Sequence, residues 1–135
     1  MKQTLIEKAK EAKDNAYAPY SSFKVGAALL CDDGSIYTGC NIENASFSPT
    51  VCAERVAIFK AISDGKRDFS AIAVCGGKNG VLNEKFCFPC GVCRQVMSEF
   101  CKEDFKIYVC SENDVKEYTL SQLLPESFGS EDINA

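Results

Sequence analysis

The chain has no histidine and no tryptophan among its 135 residues. The first absence constrains chemistry, because any metal site, general base or proton shuttle must here be built without imidazole. Long apolar runs are also missing. Nothing approaches the roughly 18 consecutive apolar residues that span a bilayer as a helix, so no membrane partner is expected. The amino terminus, Met1 to Lys8, reads as the start of an amphipathic helix. It lacks the long apolar stretch and small-residue cleavage site of a secretory leader, and a cytoplasmic location follows as the expectation. Clusters of positive charge are absent too. Fifteen Lys and Arg face nineteen Asp and Glu, for a net charge of -4, and the basic residues stand singly or in pairs such as Lys66-Arg67. Phosphate-backbone binding rests on clustered cations, so nucleic acid is not an expected partner and a small neutral molecule is. Repeats, linkers and low-complexity tracts are lacking, which leaves one domain over residues 1–135.

What the chain does have is a core and an excess of cysteine. Hydrophobic residues make up 46% and charged residues 25%, ordinary values for a folded domain of this size. Nine cysteines, an odd number in a reducing compartment, argue against a disulfide framework and leave metal binding and plain burial. Cys31, Cys40, Cys75, Cys101 and Cys110 read as small core hydrophobes.

Leu5, Ala9, Ala12 and Ala16 recur at helical spacing from residue 2 to about 16, and Pro19 closes that element. Val25–Leu30 reads as a buried strand, Asp32-Asp33-Gly34 as a turn, and Ser35–Cys40 as the returning strand of a hairpin. A second helix is expected from about 50 to 63, with Val56, Phe59 and Ile62 on one face and Ser48 or Thr50 as its cap. Ala71–Cys75 reads as a third strand. Residues 76–88 read as an irregular loop that lacks the Gly-Lys-Ser/Thr ending of a phosphate-binding loop. Pro89 opens a third helix with Val92, Val96 and Phe100 inward; Ile107–Cys110 and Glu117–Leu120 supply the last strands. The fold class is α/β, a mixed sheet of about five strands sandwiched by helices.

The chemistry concentrates in Cys52-Ala53-Glu54-Arg55 and, thirty-eight positions after Cys52, in Pro89-Cys90-Gly91-Val92-Cys93. Zinc takes thiolate or imidazole ligands in a tetrahedron, and a catalytic site keeps three protein ligands and one open position. Without histidine a zinc site must be built mainly from cysteine. Cys90 and Cys93 lie on one face at a helix opening, and Cys52 lies in the first turn of another helix, so convergence of the two helix starts brings three thiolates together. Three thiolates leave Zn²⁺ with a formal net negative charge. Helix N-termini and the nearby Arg55 offset it. Glu54 leaves its helix on a different side from Cys52 and is placed for proton transfer rather than ligation.

These motifs resemble the Cys-Ala-Glu and Pro-Cys-x-x-Cys pair of the cytidine deaminase superfamily, in the small homotetrameric branch that has cysteine first. A related histidine-bearing signature is a known mark of zinc deaminases. The resemblance extends to Tyr17–Ala28, to Gly39-Cys40-Asn41-Ile42-Glu43-Asn44-Ala45 and to Leu123–Phe128. It implies one zinc on Cys52, Cys90 and Cys93, with proton transfer by Glu54. Asn41 and Glu43 would hold the ribose hydroxyls, Phe23 would pack near the nucleoside, and the Ala53 amide would bind the pyrimidine 2-carbonyl. Phe128 would reach the base from a neighbouring subunit. The implied reaction is hydrolytic deamination of cytidine and deoxycytidine to uridine and deoxyuridine with release of ammonia, in pyrimidine salvage. Phe88 and Phe47 depart from the family pattern, which carries Ser and Tyr there.

Two other readings share these residues. Cys87 with Cys90 forms a second Cys-x-x-Cys, so a closed four-cysteine zinc module without activity is one alternative. The other is a deaminase of the same architecture acting on a different aminopyrimidine.

Overall fold

A computed structural model describes residues 1–82 and 84–134. The helix α1 (Lys2–Ala12) buries Leu5, Ile6 and Ala9 and tightens into a 3₁₀ turn at Lys13–Asn15, short of the expected boundary. The hairpin expected around Asp32-Asp33-Gly34 is present, joining β1 (Phe23–Cys31) to β2 (Ile36–Cys40). Its turn is closed by the Asp33 carboxylate, which accepts from the Ser35 amide at 2.9 Å and pairs with Lys66 at 2.7 Å. Gly34 supplies the positive φ of 90° that the turn requires.

The remaining elements are α2 (Ala53–Ser63), β3 (Phe69–Lys78), α3 (Gly91–Phe100), β4 (Lys106–Cys110), β5 (Val115–Thr119), α4 (Leu120–Leu123) and α5 (Ser130–Asn134). The strands form one sheet in the order β2-β1-β3-β4-β5. All neighbours pair antiparallel except β3 and β4, which are parallel and joined through α3. This is the mixed sheet the sequence indicates. Its two faces carry separate cores, as the period of two along each strand demands. Ala27, Leu29, Ile72, Ile107 and Val109 meet α2 and α3 through Ala57, Ile58, Ala61 and Met97. Ala28, Ala71, Ala73, Cys75 and Cys110 meet α1 through Leu5, Ile6 and Ala9. The α1 side is lined with small residues because the helix sits close: a Cβ at Gly26 would stand 2.0 Å from the Ala9 carbonyl oxygen.

Several boundaries and faces differ from the sequence reading. The second helix starts at Ala53 rather than near residue 50, and neither Ser48 nor Thr50 caps it. Thr50 Oγ1 instead accepts from the Asn44 amide at 3.1 Å, and Val51 exchanges backbone hydrogen bonds with Ile42, which keeps the chain extended up to Cys52. The inner face of α2 is Ala53, Ala57, Ile58 and Ala61, with half-buried Ile62 packed on the same core as expected; Val56 is half-buried beside Gly39, and Phe59 is 46% exposed. Small residues are needed inside because α2 lies tightly on β2, where a Cβ at Gly39 would meet the Ala53 carbonyl oxygen at 2.5 Å. In α3 the buried line is Cys93 and Met97, flanked by half-buried Val96 and Phe100, while Val92 is 56% exposed. Gly76 and Gly77 belong to β3 rather than to the expected loop, whose Asn83 lies outside the described residues. The last strand sits earlier, at Val115–Thr119, because Thr119 and Gln122 form a capping box that starts α4 at Leu120. Cys31, Cys75 and Cys110 are buried as expected, and Cys40 and Cys101 are half-buried. No helix among the described residues is long and apolar enough to cross a membrane.

Candidate metal centre and active site

The N-termini of α2 and α3 converge. Cys52 is the N-cap of α2 and Cys90 the N-cap of α3, so Cys52 precedes the first turn in which the sequence reading placed it. Both have extended backbone, and neither side chain caps its helix. An N-cap Ser or Asp would spend its side-chain oxygen on the first-turn amides. Cysteine leaves those amides and its own sulfur free, with the positive ends of two helix dipoles aimed at one point. Cys93, at the third position of α3, completes the group: the Sγ atoms of Cys52, Cys90 and Cys93 all lie within 4.8 Å of one another.

The individual spacings are 3.7 Å between Cys52 and Cys90 and 3.5 Å between Cys90 and Cys93. Sulfurs at the corners of a tetrahedron around zinc, each about 2.3 Å from the metal, stand about 3.8 Å apart. The thiols are therefore spaced as zinc ligands before any ion is considered. Burial is graded, with Cys93 buried, Cys52 half-buried and Cys90 exposed, which leaves one side of the cluster open. Cys87 does not join them. Its Sγ lies over the end of β3, 3.2 Å from where a Cβ on Gly76 would stand, and burial pushes its thiol up to about 12.

Electrostatics mark the same spot. Hydrogen bonding from Cys93, then from Arg55 and Cys90, pulls the Cys52 thiol down to about 5 against the effect of burial. The Arg55 contact is direct, from Nη2 to Cys52 Sγ at 3.4 Å. Arg55 Nε is a buried donor with no partner among the described residues, so this guanidinium is committed to the thiol centre rather than to solvent. Glu54 is only 3% exposed. Burial, reinforced by the Cys52 sulfur, pushes its carboxyl up to about 7, where it can both give and take a proton; a cation beside it would act in the opposite direction.

The remaining expected residues lie outside the thiol cluster. The segment 41–44 is laced between Tyr17 and Val51: the Tyr17 amide donates to Asn41 O, Glu43 N donates to Tyr17 O, and Ile42 pairs with Val51. The Asn41 side chain accepts from the Val25 amide and donates to the Phe23 carbonyl, both at 2.8 Å, which leaves one N–H and one lone pair for a ligand. Glu43 accepts from the Tyr20 and Ser21 amides at 3.0 and 3.1 Å and from the Ser21 hydroxyl, which lowers its pKa. Phe23 is half-buried at the start of β1 and Ala53 is fully buried at the first turn of α2. Phe128 is 60% exposed near the C-terminal end. Phe88 packs on Tyr118 with ring centroids 5.6 Å apart, and Phe47 is 83% exposed. The sequence reading attached no role to Ser21, which grips Glu43, or to Arg94, which holds the Pro89 carbonyl beside Cys90. The one available signal was that Arg94 falls four residues after Cys90 on a helix.

A family profile described as the cytidine and deoxycytidylate deaminase zinc-binding region matches residues 1–109. The chain is 51% identical over 134 residues to a cytidine deaminase of Halalkalibacterium halodurans, an alignment covering 98% of each chain. It is 49% identical over 133 residues to that of Sporosarcina psychrophila, covering 98% of this chain and 94% of the other. Among solved structures, cytidine deaminase from Burkholderia pseudomallei superposes with a TM-score of 0.88 at 45% identity, covering 95% of this chain and 99% of that one. The enzyme from Mycobacterium tuberculosis follows at 0.80 and 38%, covering 94% and 96%. Fold and thiol centre together define the class, a zinc-dependent hydrolase built on an α/β sandwich. Within that class the chain belongs to the cytidine and deoxycytidylate deaminase family.

Proposed function

We propose that this chain hydrolyses cytidine and deoxycytidine to uridine and deoxyuridine, releasing ammonia, as a homotetramer in cytoplasmic pyrimidine salvage. The observation that carries the reading is the buried carboxyl of Glu54 beside three convergent thiols at two helix N-termini.

Cys52, Cys90 and Cys93 hold one zinc, with Arg55 bonded to the Cys52 sulfur to offset the charge of three thiolates. When bound, zinc supplies Lewis acidity that lets water give up a proton near neutral pH. Glu54 takes that proton and delivers it to N3 of the pyrimidine, then carries the second proton to the departing amine. The water oxygen ends as the C4 carbonyl of the product and the amine leaves as ammonia. The Ala53 amide binds the 2-carbonyl. Asn41, through its remaining N–H and lone pair, and Glu43 face the ribose hydroxyls. Phe23 packs against the nucleoside, and Phe128 of a neighbouring copy covers the base; its exposure in the single chain supports that assignment.

The test is loss of cytidine absorbance with zinc-replete protein, with free cytosine in parallel. Turnover of cytidine well above that of cytosine is expected. Equal rates would remove the ribose contacts, and one tightly held zinc with no turnover of either would leave only a zinc-stabilised module.

A further inference from the structure

Arg94 is a half-buried cation that pairs with no carboxylate among the described residues. Its guanidinium spends itself on two backbone carbonyls instead: Nε donates to Pro89 O and Nη1 to Leu123 O, each at 2.8 Å. Its own amide donates to Cys90 O at 3.0 Å, the first helical bond of α3. One residue therefore fixes the carbonyls on both sides of the Cys90 α-carbon. The peptide plane entering Cys90 and the plane leaving it are both set, and with them the direction of the Cα–Cβ bond that carries the sulfur. That restraint is concentrated on the ligand with least support of its own, since Cys90 is exposed and follows the irregular stretch after β3.

The second arm runs the other way. Leu123 O closes α4, and five residues later the Phe128 carbonyl accepts from Gln95 Nε2 at 2.8 Å. Adjacent residues on α3 thus clasp both ends of the segment 123–128. We infer that Arg94 is a positioning residue that orients Cys90 for the metal, and that Arg94 with Gln95 ties the Phe128 segment to the same helix. The second half rests on the proposed deaminase reading; the first does not.

The experiment uses zinc-loaded protein and follows zinc release to excess chromogenic chelator, the absorption bands of the cobalt(II)-substituted protein, and cytidine kinetics. Arg94→Ala is expected to release zinc about tenfold faster and to shift the cobalt bands, at the lower end of the effect of losing a group behind a ligand. Arg94→Lys keeps the charge and a single donor and is expected to fall between, about threefold faster. Gln95→Ala should leave zinc release unchanged and raise KM for cytidine with kcat little affected. Release rates and cobalt bands of Arg94→Ala indistinguishable from the parent overturn the inference about Cys90, even if its melting temperature falls. Where Arg94→Ala does not fold, Arg94→Lys carries the same test, and an unchanged rate overturns it. An unchanged KM in Gln95→Ala removes the tie to Phe128. Failure of the parent protein to turn over cytidine would sink the deaminase reading while leaving the metal comparison intact.

Discussion

Glu54 and Ser111 are the only buried polar residues of the described core, and only Glu54 is ionisable. A carboxyl taken out of water loses several kcal/mol of solvation if it stays charged, so such a group is kept for chemistry or for a strong partner. Its neighbours are thiols rather than an opposing cation at contact distance. Replacing Glu54 by Gln preserves shape and burial and removes only the proton exchange. Turnover should fall by at least about 10²–10⁴-fold, the usual worth of a positioned acid–base group, while metal analysis still finds one zinc per chain. Retained activity would take Glu54 out of the mechanism. The cysteines divide equally sharply. Cys90→Ser should sacrifice zinc occupancy, because a thiolate ligand is lost, whereas Cys87→Ala should keep both zinc and activity, because Cys87 packs over Gly76 outside the cluster. Zinc lost in Cys87→Ala would revive the closed four-cysteine centre. The three clustered cysteines were legible in the sequence because a zinc site without histidine has to be built mainly from cysteine, and Cys52, Cys90 and Cys93 stand at two helix openings.

At the scale of elements, two glycines make opposite demands. Gly39 on β2 lies under the start of α2, where a Cβ would meet the Ala53 carbonyl oxygen at 2.5 Å and the Ala57 amide nitrogen at 2.6 Å. Both are backbone atoms, so the helix itself would have to move, and its N-cap is Cys52. Gly39→Ala should therefore cost about 1–3 kcal/mol in denaturant unfolding and weaken zinc binding as well. Gly91 opens α3 with nothing within 4 Å of its would-be Cβ. Gly91→Ala should be neutral or stabilise by about 0.5–1 kcal/mol with zinc affinity unchanged, and a loss of zinc there would mean that the α3 entrance is tighter than its geometry indicates. The same contacts explain what the sequence could and could not convey about the elements. The hairpin was readable because its turn chemistry is local. The expected apolar face of α2 was only partly right: Ile62 packs on the core, but Phe59 is exposed, and the alanines that face β2 were passed over because Val, Phe and Ile outrank Ala in hydrophobicity. Its start was misplaced because the Thr50 hydroxyl is used by Asn44 and Val51 pairs with Ile42, contacts that exist only after the chain has folded back. Arg94 escaped for the same reason, since the carbonyls it holds are brought together by the fold.

For the whole molecule, the residues displaced from the core raise the question of what covers them. Val56 and Phe59 on α2 join Val51 and Tyr37 in lining a shallow, largely apolar depression of about 640 Å³, rimmed by Lys60 and Asp64. Tyr20, Phe47 and Phe128 are also more than half exposed. A small acidic protein has no solvation reason to present several aromatic side chains to water, and contiguous apolar surface of this kind marks an association face. In the proposed homotetramer these surfaces are where copies meet, and Phe128 finds its place over a neighbour's base. Light scattering should then report four times the protomer mass. Phe59→Asp places a charge in the apolar depression and should shift the population to smaller species. Because Phe59 touches none of the thiols, the variant should keep its zinc yet lose much of its kcat/KM as protein concentration falls, with activity recovering on concentration as sites are completed again. A parent protein that is monomeric and fully active at assay concentration would refute the shared site, since the nucleoside would then be enclosed without any residue from a second copy.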